Sequence, residues 1–114
     1  MPEYKSIEQI PRDAQGRIPS WLRRAIKPNN PTTKQNETVR TASADLDGQE
    51  ILYPTIRLVD GRLRRLGNDE AFETAVRNRD YIVANSPSQA TDISRAISRF
   101  IQRQRGGKTR TPAS

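Results

Sequence analysis

The chain has 114 residues, of which 32% are apolar, and a net charge of +7 at pH 7. This length suffices for one domain, and the apolar fraction lies below the ~45–50% usual for globular chains, so we expect a compact part with extended arms. The sequence has no Cys and no His, which excludes thiol and histidine chemistry and the usual zinc sites.

The basic residues are mostly arginine, with sixteen Arg against four Lys. Arginine makes two-point contacts with carboxylates and phosphates and tolerates partial burial better than lysine does. The composition therefore favours an acidic partner, either nucleic acid or an acidic protein surface. The alternative is a basic, solvated surface without a specific partner.

Membrane and export signals are missing from the sequence pattern. No apolar run approaches the ~20 residues of a membrane helix. The first residues, Met1 to Ser6, lack the apolar core of a signal peptide. We therefore expect a protein that is soluble when made and is not secreted by that route.

Residues 1–37 have the composition of a Pro-rich N-terminal arm. A short helix is predicted near 20–27, with Ser20 as its N-cap and Pro28 as its end. Trp21 is the only tryptophan and must dock on the chain's own domain or on a neighbouring subunit. Residues 28–37 have the composition of a linker.

Two Asp-Gly pairs punctuate an apolar, β-branched stretch that begins at Thr38. Asp47-Gly48 and Asp60-Gly61 suit two-residue turns in which both residues have positive φ. They predict a three-stranded meander with 51–59 as its middle strand. Pro54 cannot donate to a ladder, so we expect the first hairpin to be short or irregular and the second to be better formed.

Two helices are predicted after the strands. Asn68 is a candidate N-cap for a helix over 69–77, and Ser86 to Gln89 form a capping box for a helix that ends near Gln104. Residues 80–85 are taken as a connector and 106–114 as a flexible tail. The expected fold is α+β, a small β-meander or hairpin followed by two α-helices (a ββαα-type module over 38–105) with a long extended N-terminal arm.

Two groups of arginines are candidate binding residues. A two-residue turn at Asp60-Gly61 places Arg57, Arg62 and Arg64 on one face of the second hairpin, opposite Leu58 and Leu63, which we expect in the core. Opposed like charges require an acidic group, either a carboxylate of this chain or a partner. The other group lies at helical spacing and forms a stripe on the last helix, for which a solvated helix face is the alternative: Arg95, Arg99 and Arg103.

No catalytic motif stands out. The neighbouring carboxylates flank turns or begin a helix, and Gly107-Lys108-Thr109 lacks the strand and first glycine of a phosphate-binding loop. We therefore expect no enzyme activity, no cofactor, no metal site and no small-molecule substrate.

Several short motifs together resemble a module of tailed-bacteriophage virion proteins, including internal, ejection-type proteins. The motifs are Thr38-Val39-Arg40, Asp47 to Ile56, Asp60-Gly61-Arg62, Asp69-Glu70-Ala71, Ser86-Pro87 and Ala90. The resemblance covers roughly residues 38–101. It implies a virion component, made in the host bacterial cytoplasm, and no catalytic residues.

From this resemblance we expect a structural component of a phage particle: a minor capsid, portal/tail-vertex or internal protein. Its expected partners are other virion proteins in multiple symmetric copies, with packaged DNA as a further candidate and no membrane. The arm would lie along neighbouring subunits with Trp21, Leu22 and Ile26 as assembly anchors. The alternatives are an arginine-based, phosphate-dominated nucleic-acid-binding protein and an accessory to a cell-wall hydrolase.

Overall fold

A computed structural model describes residues 3–26 and 39–104. The helices are α1 (Ser20–Ala25), α2 (Asn68–Asn78) and α3 (Pro87–Gln104), and the strands are β1 (Thr41–Leu46), β2 (Gln49–Pro54), β3 (Ile56–Val59), β4 (Arg62–Arg65) and β5 (Ile82–Ala84). The predicted α+β class is confirmed. The predicted linker, 28–37, and the tail, 106–114, lie outside the described residues.

Strands β1, β2 and β5 form an antiparallel sheet in which β2 is central. Asp47 and Gly48 join β1 to β2 with φ values of 51° and 88°, as a two-residue turn of this type requires. All six residues of β1 pair with β2, so the expectation of a short or irregular first hairpin is wrong. Pro54 is tolerated because it ends β2 beyond Leu52, the last residue that pairs with β5.

The second hairpin, β3 and β4, is a separate two-stranded sheet, so the predicted meander is wrong. The apolar run over 51–59 divides at Thr55. The backbone N–H of Thr55 donates to the carbonyl oxygen of Arg40 at 2.7 Å, and the carbonyl oxygen of Thr55 accepts from the N–H of Leu66 at 2.8 Å. Thr55 therefore continues the ladder of the first hairpin on one side and that of the second hairpin on the other.

Strand β5 lies within the stretch predicted to be a connector. Ile82, Val83 and Ala84 pair with β2 and complete the main sheet. Helices α2 and α3 therefore do not follow one another directly. After α1, the order is two hairpins, a helix, a strand and a helix.

The two faces of the main sheet are covered by different elements. Leu52 and Ile82 face a core that α3 shares with the N-terminal segment, residues 3–26. Ile51 and Tyr53, which alternate with Leu52 along β2, face a smaller core with α2. The rings of Tyr53 and Phe72 meet edge to face, with centroids 5.7 Å apart and planes at 79°.

The N-terminal segment is part of the domain and is not an extended arm, which corrects the prediction for residues 3–26. Trp21 and Leu22 are 2% and 0% exposed, and Ile26 packs against the same core. These side chains belong to the chain's own interior because they bury their apolar area in one core with Leu52, Ile82 and the apolar side of α3. The predicted short helix is confirmed as α1, although Pro19 and not Ser20 occupies the N-cap.

The beginnings of the two long helices differ in how they match the prediction. Gly67 is the N-cap of α2 and Asn68 its first residue, so the assignment of Asn68 as N-cap is wrong. The cap of α3 is confirmed, because the N–H of Gln89 donates to the Ser86 hydroxyl at 3.1 Å. The side-chain oxygen of Gln89 accepts from the N–H of Asn85, one residue before the predicted partner.

Candidate contact surface

Arg57 is held inside the chain. Its two terminal nitrogens each donate to a different carboxylate oxygen of Asp80, both at 2.8 Å. The two side chains are 12% and 8% exposed. The sequence predicted that an acidic group, either of this chain or of a partner, would offset the charge of Arg57. In the structure this group is the carboxylate of Asp80, so Arg57 is not available for a partner.

Trp21 and Arg24 of α1 surround this ion pair. The indole Nε1 of Trp21 donates to the backbone carbonyl oxygen of Asp80 at 2.8 Å. Burial and then the charge of Arg57 lower the pKa of the Arg24 guanidinium below its ordinary value. The contacts of Asp80 with Arg57 and Trp21 connect the loop before β5 to the second hairpin and to α1. They therefore fix the position at which the hairpin leaves the domain.

A cleft of about 350 Å³ lies between α1, β3 and α2 beside this ion pair. Its charged lining residues are Arg24, Arg57 and Glu70. Asp80 already offsets the charge of Arg57, and Glu70 is a carboxylate among the residues that line the same cleft. The charges therefore give this cleft little preference for an anion.

The remaining arginines of the second hairpin face solvent. The predicted register is confirmed: Arg57 is opposite Arg64, and Val59 is opposite Arg62. Arg62 and Arg64 are exposed and lie on one face, and their side chains make no hydrogen bond or ion pair with the residues that the structure describes. They are the part of the predicted basic face that a partner can reach.

The opposite face of this hairpin is partly apolar and open. Leu58, expected in the core, is 51% exposed, and Leu63 is half-buried. Ile56, at the base of β3 on the same face, is fully buried. The expectation for Leu58 is wrong because the hairpin extends past the core after Ile56, and none of the described elements covers its outer half.

The predicted arginine stripe on α3 divides into residues with different surroundings. Arg103 donates to the carbonyl oxygen of Tyr4 and lies 3.9 Å from the carboxylate of Glu3, so it attaches the N-terminal segment to the end of α3. Arg99 is exposed. Arg95 is exposed and lines a groove of about 210 Å³ between α3 and β1. The three arginines therefore do not form one uniform surface, because Arg103 is engaged with the N-terminal segment whereas Arg95 borders a groove.

The residues that the structure describes contain no cluster of three or more Asp or Glu placed to hold a metal ion. None of their helices has the length and apolar character needed to cross a membrane.

Comparison with known proteins returned no matching family model, no matching curated protein and no matching solved structure.

Proposed function

We propose that the chain is a non-enzymatic structural component of a tailed-phage particle, acting through protein–protein contacts. The particle is suggested by the resemblance of residues 38–101 to a virion module. The proposed contact surface is the outer half of the second hairpin. The observation that carries it is that the Arg62 and Arg64 side chains are exposed and have no partner among residues 3–26 and 39–104, with Leu58 exposed on the reverse side.

The chemistry of this hairpin suits an acidic protein surface. Charged pairs at an interface steer association and select partners, and arginine is enriched where interfaces are desolvated. The exposed Leu58 on the reverse side of the same hairpin supplies apolar area that can be buried on contact. The ion pair of Arg57 with Asp80 holds the base of the hairpin in place, so less conformational entropy is lost on docking.

The proposal is tested in purified phage particles. Mass spectrometry should find the chain at a fixed stoichiometry to the major capsid protein, and its absence would refute the virion role. A tagged copy with Arg62→Ala and Arg64→Ala should be incorporated much less than the wild-type copy. Arg12→Ala with Arg23→Ala is the matched control, because both residues are exposed and the charge change is the same.

A nucleic-acid-binding protein is the second candidate, favoured by the same two exposed arginines and the net charge of +7. Binding to duplex DNA would then weaken steeply with salt, since phosphate contacts release counterions. Arg62→Ala with Arg64→Ala would reduce both affinity and salt slope. Arg57 is left unchanged in this test, because its loss would leave the buried Asp80 carboxylate unpaired.

A further inference from the structure

Strand β1 has one long edge that no described strand covers. Its only paired neighbour in the described sheet is β2. Proteins usually protect such edges with charged residues, with proline or by keeping the strand short. β5 has three residues, and β3 and β4 have four each with arginines among them. β1 has six residues, contains neither proline nor a basic residue, and has Asp45 as its single charge.

The register fixes which backbone groups of β1 point outward. In a hairpin closed by a two-residue turn, the residues flanking the turn form a hydrogen-bonded pair, and such pairs alternate along the strands. Leu46, Ala44 and Ala42 therefore direct their N–H and C=O groups to β2. Thr41, Ser43 and Asp45 direct theirs away from the sheet, where a further strand can pair with them.

The side chains of the outward-bonding residues lie on the α3 side of the sheet. Ala42, Ala44 and Leu46 pack on the α2 side, so Thr41, Ser43 and Asp45 face the other way. The hydroxyl oxygens of Thr41 and Ser94 are 2.5 Å apart, which places β1 directly beside α3. The groove at this contact has small residues along it and Arg95 at its border.

Arg95 and Asp45 are complementary charges that do not meet within the described chain. The side chain of Arg95 makes no hydrogen bond or ion pair with another described residue. It borders the groove at the Thr41 end of the strand, whereas Asp45 lies four residues further along β1. An antiparallel strand with the same sequence would reverse this order and bring an aspartate beside Thr41.

We infer that two copies of the chain associate through their β1 strands, antiparallel about a two-fold axis at Ser43. Ser43 pairs with Ser43 of the second copy, and Thr41 pairs with Asp45 of the second copy. Paired residues share a face, so Asp45 of the second copy lies beside Thr41 and next to Arg95. The symmetry gives two such charge pairs and joins the two sheets into one of six strands.

A second copy fits this edge better than an unrelated strand does. A two-fold interface must be self-complementary, and β1 with α3 supplies both members of the charge pair and the outward backbone groups. The small side chains of Ala42, Ser43 and Ala44 let another backbone approach closely. This association does not depend on the proposed virion role, which concerns the other hairpin.

The first test measures the mass of the full chain in solution. Light scattering after size exclusion should give twice the 12.9 kDa of one chain as concentration rises from about 1 µM to about 500 µM. Ser43→Pro removes an outward N–H without removing a bond to β2, and should keep the chain monomeric. Val83→Pro is the matched control, since Val83 is the outward-bonding residue on the opposite edge of the sheet.

The second test reverses the charges. Asp45→Arg alone and Arg95→Asp alone should each weaken dimerisation at least about tenfold, because like charges then meet twice across the axis. A mixture of the two variants should form heterodimers, in which both pairs are again opposite in charge. The variant with both changes should regain the wild-type dissociation constant.

Four outcomes would overturn the inference. They are a monomer at every concentration, a dimer that Ser43→Pro leaves intact, a dimer that Val83→Pro disrupts as strongly, and charge variants whose mixture does not form heterodimers. Circular dichroism on each variant establishes that it is folded. If Ser43→Pro does not fold, the mixture of charge variants decides the question alone.

Discussion

The guanidinium of Arg57 and the carboxylate of Asp80 form a two-point ion pair, with both nitrogen–oxygen distances at 2.8 Å, in a nearly buried position. This pair connects the second hairpin to the loop between α2 and β5. The backbone carbonyl of Asp80 also accepts the indole N–H of Trp21, so three separate parts of the chain meet at one residue.

Breaking one side of this pair should destabilise the fold strongly. Asp80→Asn leaves a buried guanidinium without its counter-charge and should lower the free energy of unfolding by about 3–5 kcal/mol. Urea denaturation followed by circular dichroism measures the loss. Replacing both partners, Arg57→Met with Asp80→Leu, should cost much less than the sum of the two single changes. Additive losses would mean that the two groups do not act as a pair.

Trp21 should report on the docking of the N-terminal segment. Because the indole is 2% exposed, its fluorescence should be blue-shifted in the native protein and move to longer wavelength on unfolding. Trp21→Phe loses the bond to Asp80 and should cost about 1 kcal/mol, whereas Trp21→Ala should cost about 3–5 kcal/mol. A solvent-exposed emission spectrum at neutral pH would contradict the burial of Trp21 in the core that α1 shares with α3 and β5.

Tyr53 should make stability fall at high pH. Burial, and then the charge of Asp69, raise the pKa of the Tyr53 hydroxyl above its ordinary value of 10.0. The folded chain then holds this proton when the unfolded chain has lost it, so the stabilisation is complete below pH 10.0 and is lost as pH rises through the folded pKa. Unfolding free energies from about pH 9 to about pH 11 measure the slope.

Tyr53→Phe is the control for this pH dependence. It keeps the ring that packs on Phe72 and removes the hydroxyl. The variant should lose less stability than the wild type over the same pH range. Tyr4 remains in both proteins, and burial raises its pKa in the same direction, so some slope persists. Identical slopes for the two proteins would refute the assignment to Tyr53.

The two Asp-Gly turns could be predicted because their constraint is local. Asp60 and Gly61 both have positive φ, which few residue pairs adopt easily, and the register of β3 with β4 follows from the turn length. The cap at Ser86 is local in the same way. These features need no knowledge of the rest of the chain.

The features that the sequence did not predict depend on partners that lie far away along the chain. β5 is three residues long and is a strand only because β2, about thirty residues earlier, pairs with it. Asp80 is 23 residues from Arg57, and no spacing rule connects them. Trp21 meets Asp80 from 59 residues away. The sequence leaves open which surface such a residue docks on, because that choice depends on how the layers assemble.

The second hairpin should be the least stable part of the described fold. It has two strands, and no element within the described part of the chain covers its outer half, as the 51% exposure of Leu58 indicates. Hydrogen exchange measured by NMR compares the backbone amides that bond across each hairpin. The amides of Val59 and Arg62 should have protection at least about 100-fold lower than those of Ala44 and Ile51.

The backbone amide of Thr55, at the junction of the two hairpins, is bonded to Arg40 at 2.7 Å and should exchange as slowly as the amides of the main sheet. Equal protection in both hairpins would show that they open as one unit. Lower protection beyond Thr55 would instead mean that the proposed contact surface can adjust its position on a partner while the main sheet stays closed.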